Sequence, residues 1–363
     1  MGSLAVFSPL LVVSLLAVSQ MDFNDAVARA NAARQAGDRD GAITLYSHAV
    51  QLNPQFAEGW RFVGELSAEE ERFTSCRDAL VQFVRLESTQ APGWSTLGLC
   101  EFETGDRTAS LEHIRRALSM RTALPAEMVD VLRFHEALLL TREGQFDIAL
   151  RSYREIVRSG PLSDTFVEGL GLAALNKPLM PDEVAADQHN LYRMAGIAIG
   201  KSMTGDNDGA EAELRELLRH YPASTDVQYL YGMCLLRVRP DEGVVQLRNI
   251  LQTHPERADI RADIAYSLMK RGEAGRAWPF AERAAVEAPL NPLAQYVYGC
   301  ALAARGDLRN GIVHLEQATN LDPGSLDCHV ALAAAYSRMG RPLDSRRERL
   351  ESIALARASG EGG

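Results

Sequence analysis

Catalytic signatures are missing from this 363-residue chain. No Ser/His/Asp series, phosphate-cradling loop or dinucleotide-binding glycine pattern stands at the spacing its chemistry requires, so the motif-bearing enzyme classes drop out. His48, His135, His189 and His329 form no H-x-x-x-H pair, and Asp206-Asn207-Asp208-Gly209 lacks the glutamate that closes a calcium loop. No metal or cofactor is therefore expected. Cysteine is scarce: Cys76, Cys100, Cys234, Cys300 and Cys328 form no C-x-x-C pair, are odd in number, and read as small buried apolar residues, with a structural disulfide or metal site as the alternative. Basic charge is short as well. A formal net charge of −10 speaks against sequence-independent binding to nucleic acid, which needs a basic face to displace counterions from phosphates.

The N-terminus lacks charge altogether. Residues 1–20 hold no charged side chain, and residues 4–18 form a nearly continuous apolar run of about 15 residues, too short for an ordinary membrane-spanning helix. Ala17-Val18-Ser19 places small residues where a signal peptidase accepts them. Residues 1–19 thus read as a signal peptide, with a mature chain starting near Gln20, a periplasmic or secreted location and no stable membrane span after cleavage. No Lys or Arg precedes the apolar core, so the alternatives are an uncleaved apolar anchor and a cytoplasmic chain. No lipid-attachment cysteine lies in this stretch.

What the chain has in quantity is periodicity. Small residues recur at Ala42, Cys76, Ser110, Ala149, Ala210, Gly243, Ala277, Gly311 and Ser345, at steps of 34, 34, 39, 61, 33, 34, 34 and 34. Four positions later stands an apolar residue in every copy except the last: Tyr46, Leu80, Ile114, Tyr153, Leu214, Leu247, Ala281 and Leu315, then Arg349. Five positions earlier stands Gly37, Gly105, Gly144, Gly205, Gly272, Gly306 or Gly340, with Glu71 and Val238 as the exceptions. Each unit reads as two antiparallel helices. Glycine ends the first by adopting a left-handed conformation without a Cβ penalty, and the small residue lets the second approach closely. Pro54, Pro161, Pro222, Pro255, Pro289 and Pro323 stop the second helices. A unit of this size cannot bury its own apolar face, so copies must stack.

This pattern resembles the tetratricopeptide repeat family. The family's aromatic, large apolar and glycine residues stand at Trp60, Val63 and Gly64, and again at Trp94, Leu97 and Gly98. Later copies keep Tyr231-Gly232, Tyr298-Gly299 and the series Gly306, Leu315, Ala318 and Pro323. The resemblance covers most of residues 21–357 and implies an all-α fold: an α-solenoid of about nine helix-turn-helix units in a right-handed superhelix, as in an exported bacterial-type scaffold. Glu71 in place of the turn glycine, Ser88 and Thr122 in place of the closing proline, and the short turn at Val238 and Pro240 depart from it.

The long steps divide the array. Residues 20–161 read as a first block of about four units and residues 190–357 as a second of about five. The 39-residue step adds residues near 120–127, where Pro125 restarts a helix. The 61-residue step adds residues 162–189, with one extra helix over 165–176 followed by a proline-rich stretch, read either as a plain connection or as a functional element. Arg349 and Ser352 in the final helix give it a polar, capping character, and residues 358–363 form a flexible tail. His113 and His314 share a slot, which argues for a scaffold role. His220 and His254 sit at helix C-termini, where imidazole suits the exposed carbonyls.

Binding is the function this surface implies. In the family, first helices line a concave groove, which here places Tyr229, Met233, Tyr266, Met269 and Tyr296 toward a peptide or protein segment; the same stripe also suits packing between repeats. The corresponding residues of the first block, Arg61, Glu65, Ser95, Phe134 and Leu138, make a mixed surface. No Lys/Asn clamp for a C-terminal carboxylate is present. The expectation is a non-enzymatic scaffold in cell-envelope assembly, with a cytoplasmic adaptor, or an enzyme or metal protein using His189 and the insertion, as alternatives.

Overall fold

A computed structural model describes residues 9–157 and 163–358, with side chains described from Met21 onward. Residues 1–8 of the signal-like segment, residues 158–162, which include Pro161, and the tail 359–363 lie outside what is described. The chain divides into two bodies, Met1–His189 and Asn190–Gly363. In the first, helices pair as α1 (Pro9–Gln35) with α2 (Arg39–Leu52), α3 (Ala57–Glu69) with α4 (Phe73–Leu86), α5 (Ala91–Glu103) with α6 (Arg107–Ser119), and α7 (Ala126–Arg142) with α8 (Phe146–Ile156). A single helix, α9 (Asp164–Ala174), follows. The remaining pairs are α10 (His189–Met203) with α11 (Asn207–His220), joined by Lys201 donating to Glu213 at 2.7 Å, α12 (Thr225–Val238) with α13 (Pro240–Thr253), α14 (Ala258–Lys270) with α15 (Ala274–Glu287), α16 (Pro292–Ala304) with α17 (Leu308–Leu321), and α18 (Leu326–Arg338) with α19 (Pro342–Ala358). The fold is all-helical, built of stacked helix-turn-helix repeats. Among the described residues, no helix is long and apolar enough to cross a membrane.

The turns follow from local chemistry. All seven recurrent glycines have positive φ, between 74° and 92°. Where aspartate follows, as at Asp38, Asp106, Asp206 and Asp307, its carboxylate accepts the backbone N–H three residues on and caps the second helix. Asp206 therefore has a structural task that explains the calcium-like tetrapeptide. Glu71 occupies the same turn at φ 56°, a conformation costly for a residue with a Cβ. Glu71→Gly is expected to stabilise the chain by about 1 kcal/mol in urea unfolding; an unchanged or lowered midpoint would show that this turn bears no strain.

The nine small residues sit where paired helices come closest, and all are buried. Two use that proximity for hydrogen bonds: the Ser110 hydroxyl donates to the Gly98 carbonyl at 2.7 Å, and the Ser345 hydroxyl to the Ala333 carbonyl at 2.9 Å. A second recurrence escaped the sequence reading. The fourth residue of six first helices donates to the carbonyl six positions back, in the loop that ends the preceding helix pair: Trp60 to Pro54, Trp94 to Ser88, Gln228 to Pro222, Arg261 to Pro255, Gln295 to Pro289 and His329 to Pro323, at 2.6–3.1 Å. Indole, amide, guanidinium and imidazole share only an N–H at a suitable reach. Geometry, not residue identity, is repeated here.

One expectation is corrected. Cys76 and Cys100 are joined by a disulfide between α4 and α5; spacing could not show this because the partners lie on successive units. The stretch after α9 is packed. Asn176 closes α9 at φ 54°, Met180 and Val184 are buried, and the 3₁₀ turn Pro181–Glu183 is held by Glu183, which accepts the Met180 N–H at 2.9 Å and pairs with Arg107 at 3.0 Å and Arg142 at 2.8 Å. Burial opposes ionisation of Glu183, yet these donors hold its carboxyl below the usual range. In α19, Arg346, Arg347 and Arg349 are exposed, while other polar residues face inward. Ser345, Glu348 and Ser352 are buried, and Glu348 meets His329 Nδ1 at 2.8 Å.

Candidate functional site

First helices adjoin one another along the second body, α12 beside α14, α14 beside α16 and α16 beside α18. Their facing residues make a half-buried row. The Tyr229 hydroxyl donates to Asp263 at 2.7 Å, linking α12 to α14. The Tyr266 hydroxyl donates to Asp327 at 2.7 Å and the Lys270 ammonium to the other oxygen at 2.9 Å, so that α14 reaches across to α18. Tyr296 on α16 lies beside Tyr266, ring centroids 6.1 Å apart. Met233 and Met269 pack against the same core cluster as all three tyrosines and stay partly exposed. The five residues singled out from sequence thus share one strip, with their apolar bodies in the core and their edges outward. Asp263, Lys270 and Asp327, which complete the strip, were missed because no single repeat shows that residues 61 positions apart meet.

The electrostatics suit binding more than chemistry. Burial, then the neighbouring carboxylates, pushes the Tyr229 and Tyr266 phenols up, so both remain donors. Burial works against ionisation of Asp327, but the Tyr266 hydroxyl and Lys270 hold its carboxyl below the usual range. Cys300, next to Tyr296, is pushed up to about 12 by burial. A thiol so placed stays protonated and is a poor nucleophile.

The first body offers a different row. Arg61 pairs with Glu65 at 3.0 Å, Phe134 stacks on Phe166 with centroids 5.6 Å apart, and Ser95 and Leu138 are buried. His189 Nδ1 bonds to Glu168, and among the described residues no group of three or more His, Cys, Asp or Glu side chains is arranged to hold a metal ion.

The paired slots His113 and His314 take opposite electrostatic roles. His113 Nδ1 meets buried Glu101 at 2.7 Å, and this hydrogen bond raises its pKa above 6.5. His314 faces the neutral Gln295 amide at 2.7 Å, and burial lowers its pKa. A histidine raised in the folded state adds stability that is full below its unfolded value and is lost as pH rises through the folded one. His113→Gln should therefore cost more stability at pH 6 than at pH 8.5 in urea unfolding; an equal cost at both would show that His113 is not held charged.

Two segments, residues 27–79 and 134–188, match the tetratricopeptide repeat family model. They bracket the first body, and the helix pairing throughout the chain is of the tetratricopeptide type. No curated protein matches the chain. Among solved structures, similar ones include MamA 41-end from Desulfovibrio magneticus RS-1, at 21% identity and TM-score 0.39, covering 46% of this chain and 96% of that one. The MamA RS-1 ArsTM double mutant is 21% identical at TM-score 0.39, covering 46% and 95%. A further MamA crystal structure is 16% identical at TM-score 0.37, covering 47% and 94%. Tetratricopeptide repeats are a fold typical of protein-interaction scaffolds.

Proposed function

We propose that this chain is an exported, non-enzymatic scaffold that binds a peptide or protein segment along the first helices α12, α14, α16 and α18, in cell-envelope assembly. The observation that carries the binding reading is the strip of Tyr229, Met233, Tyr266, Met269 and Tyr296. Its aromatic rings are held by hydrogen bonds and by the core, so contact with a ligand costs little further ordering, while the methionines adapt to its shape. Lys270 and Asp327 add one cation and one anion at the edge, fit for the backbone or charged ends of an extended segment.

Export is supported by the signal-like segment and by the Cys76–Cys100 disulfide, since such bonds form and persist in oxidising compartments. The test of binding is an in-cell photo-crosslinker placed at Tyr266, with Val245 and Val313 as exposed controls on second helices. A specific partner recovered from Tyr266 and absent from the controls is expected. Recovery from the controls alone would move the interface elsewhere.

A further inference from the structure

The last helix pair carries a hollow that the preceding pair fills. In α17, Ile312 and Leu315 are covered by α18, sharing one cluster with its Leu332 and Tyr336. One repeat later the same two slots hold Arg346 and Arg349, which with Ser337, Gly340 and Pro342 line an open hollow of about 570 Å³. Nothing among the described residues fills it. Arg346 makes no ion pair or hydrogen bond among the described residues, and Arg349 donates to the Ser345 hydroxyl at 2.9 Å. Around the hollow, α19 turns its apolar residues outward: Leu343, Leu350 and Ile353 are 81%, 58% and 48% exposed, while its serines and Glu348 are buried.

We infer that this face docks an amphipathic α-helix of another protein, which inserts a carboxylate between Arg346 and Arg349 in the place that Tyr336 takes one repeat earlier. Continuity with the α17–α18 interface says the occupant is a helix, because the same surface one repeat earlier already receives one. The chemistry of the lining says it is acidic: two guanidiniums replace two aliphatic side chains, and a carboxylate is their natural bidentate partner. Leu350 and Ile353 ask for apolar residues on the flanks of that carboxylate.

A second copy of this chain fits less well. Head-to-tail stacking would bring Ala33 and Arg29 of α1 into the places of Tyr336 and Leu332, counting back from Ala42 as those two count back from Ser345; Arg29 is paired with Asp25 at 3.6 Å, and neither residue offers Arg346 and Arg349 a carboxylate. Symmetric pairing of α19 on α19 sets arginine against arginine. This surface is distinct from the Tyr266 strip, and the inference stands without it.

The test uses the full chain extended past Gly363 by a flexible Gly/Ser linker of about 15 residues, which keeps an appended helix at high local concentration. The appended helix repeats Leu326–Arg338 with Cys328→Ser and either Tyr336→Glu or Tyr336→Lys. Hydrogen exchange of α19 should slow about tenfold with the glutamate helix relative to the lysine helix. Arg346→Glu, at an exposed and unpartnered residue, should reverse the preference while leaving exchange in α17 unchanged. Equal exchange with both helices overturns the inference. So does self-association of the unextended chain, by mass photometry, with α19 protected in the dimer.

Discussion

Replacing Cys76 and Cys100 together, each by alanine, should lower stability by about 3 kcal/mol, the entropy of closing a loop of this length in the unfolded chain. The bond joins α4 to α5, the second helix of one unit to the first of the next, so the loss should fall on that junction. Hydrogen exchange of α4 and α5 should accelerate well beyond that of the second body, because repeat arrays transmit stability mainly to nearest neighbours. Cys76 occupies a small-residue slot with no exposure, and alanine fits it, so cavity effects stay small. A double variant as stable as the parent would mean that the two thiols are unpaired in the native protein. Non-reducing peptide mapping of protein from its own cells checks the same point, and the mass of its N-terminal peptide reports whether the chain begins near Gln20 or at Met1.

Gly243→Ala should cost about 2 kcal/mol even though alanine is the better helix former. A Cβ there would stand 2.5 Å from the Leu236 backbone nitrogen and 2.8 Å from the Leu235 carbonyl carbon, so α12 and α13 must part to admit it. Backbone cannot step aside as a flexible side chain does. Gly275→Ala, in the next second helix, meets nothing within 4 Å and should stabilise by up to about 1 kcal/mol. The same substitution thus has opposite signs in two helices of one array, read from urea midpoints. If both variants gained stability, close approach at the small-residue slots would not be what the repeat preserves.

The spacing of small residues and glycines reads through to the helix pairs because both encode backbone needs that tolerate few residue types. Gly37, Gly105 and Gly306 announce left-handed turns, and Ala42 and Gly311 announce contact between backbones. The extra helix expected at 165–176 forms as Asp164–Ala174, since Ser163 caps it and Asn176 can adopt positive φ. Side-chain partners were less legible. The loop carbonyls are satisfied by Trp60, Gln228, Arg261 and His329 alike, so no consensus residue marks that slot. The sequence marks α19 as polar without showing which of its polar residues are buried: the partner of Glu348 is His329 on the preceding helix, and a buried pair looks like a solvated one in sequence. Asp327 on α18 reaches Tyr266 on α14 past the intervening first helix α16, a meeting that no pair of adjacent repeats shows.

Met233 and Met269 offer the cleanest probe of the proposed binding strip, since neither carries a polar group whose loss would unlink the helices as Tyr229 or Tyr266 would. Titration of the segment recovered by crosslinking into the full chain, by calorimetry, should show affinity lowered at least about tenfold by Met233→Ala with Met269→Ala, as truncation of interface anchors does. Val245→Ala with Val313→Ala, on exposed positions of second helices, should leave it unchanged. Loss of affinity in the valine pair with none in the methionine pair would contradict the assignment of the first-helix strip as the binding surface.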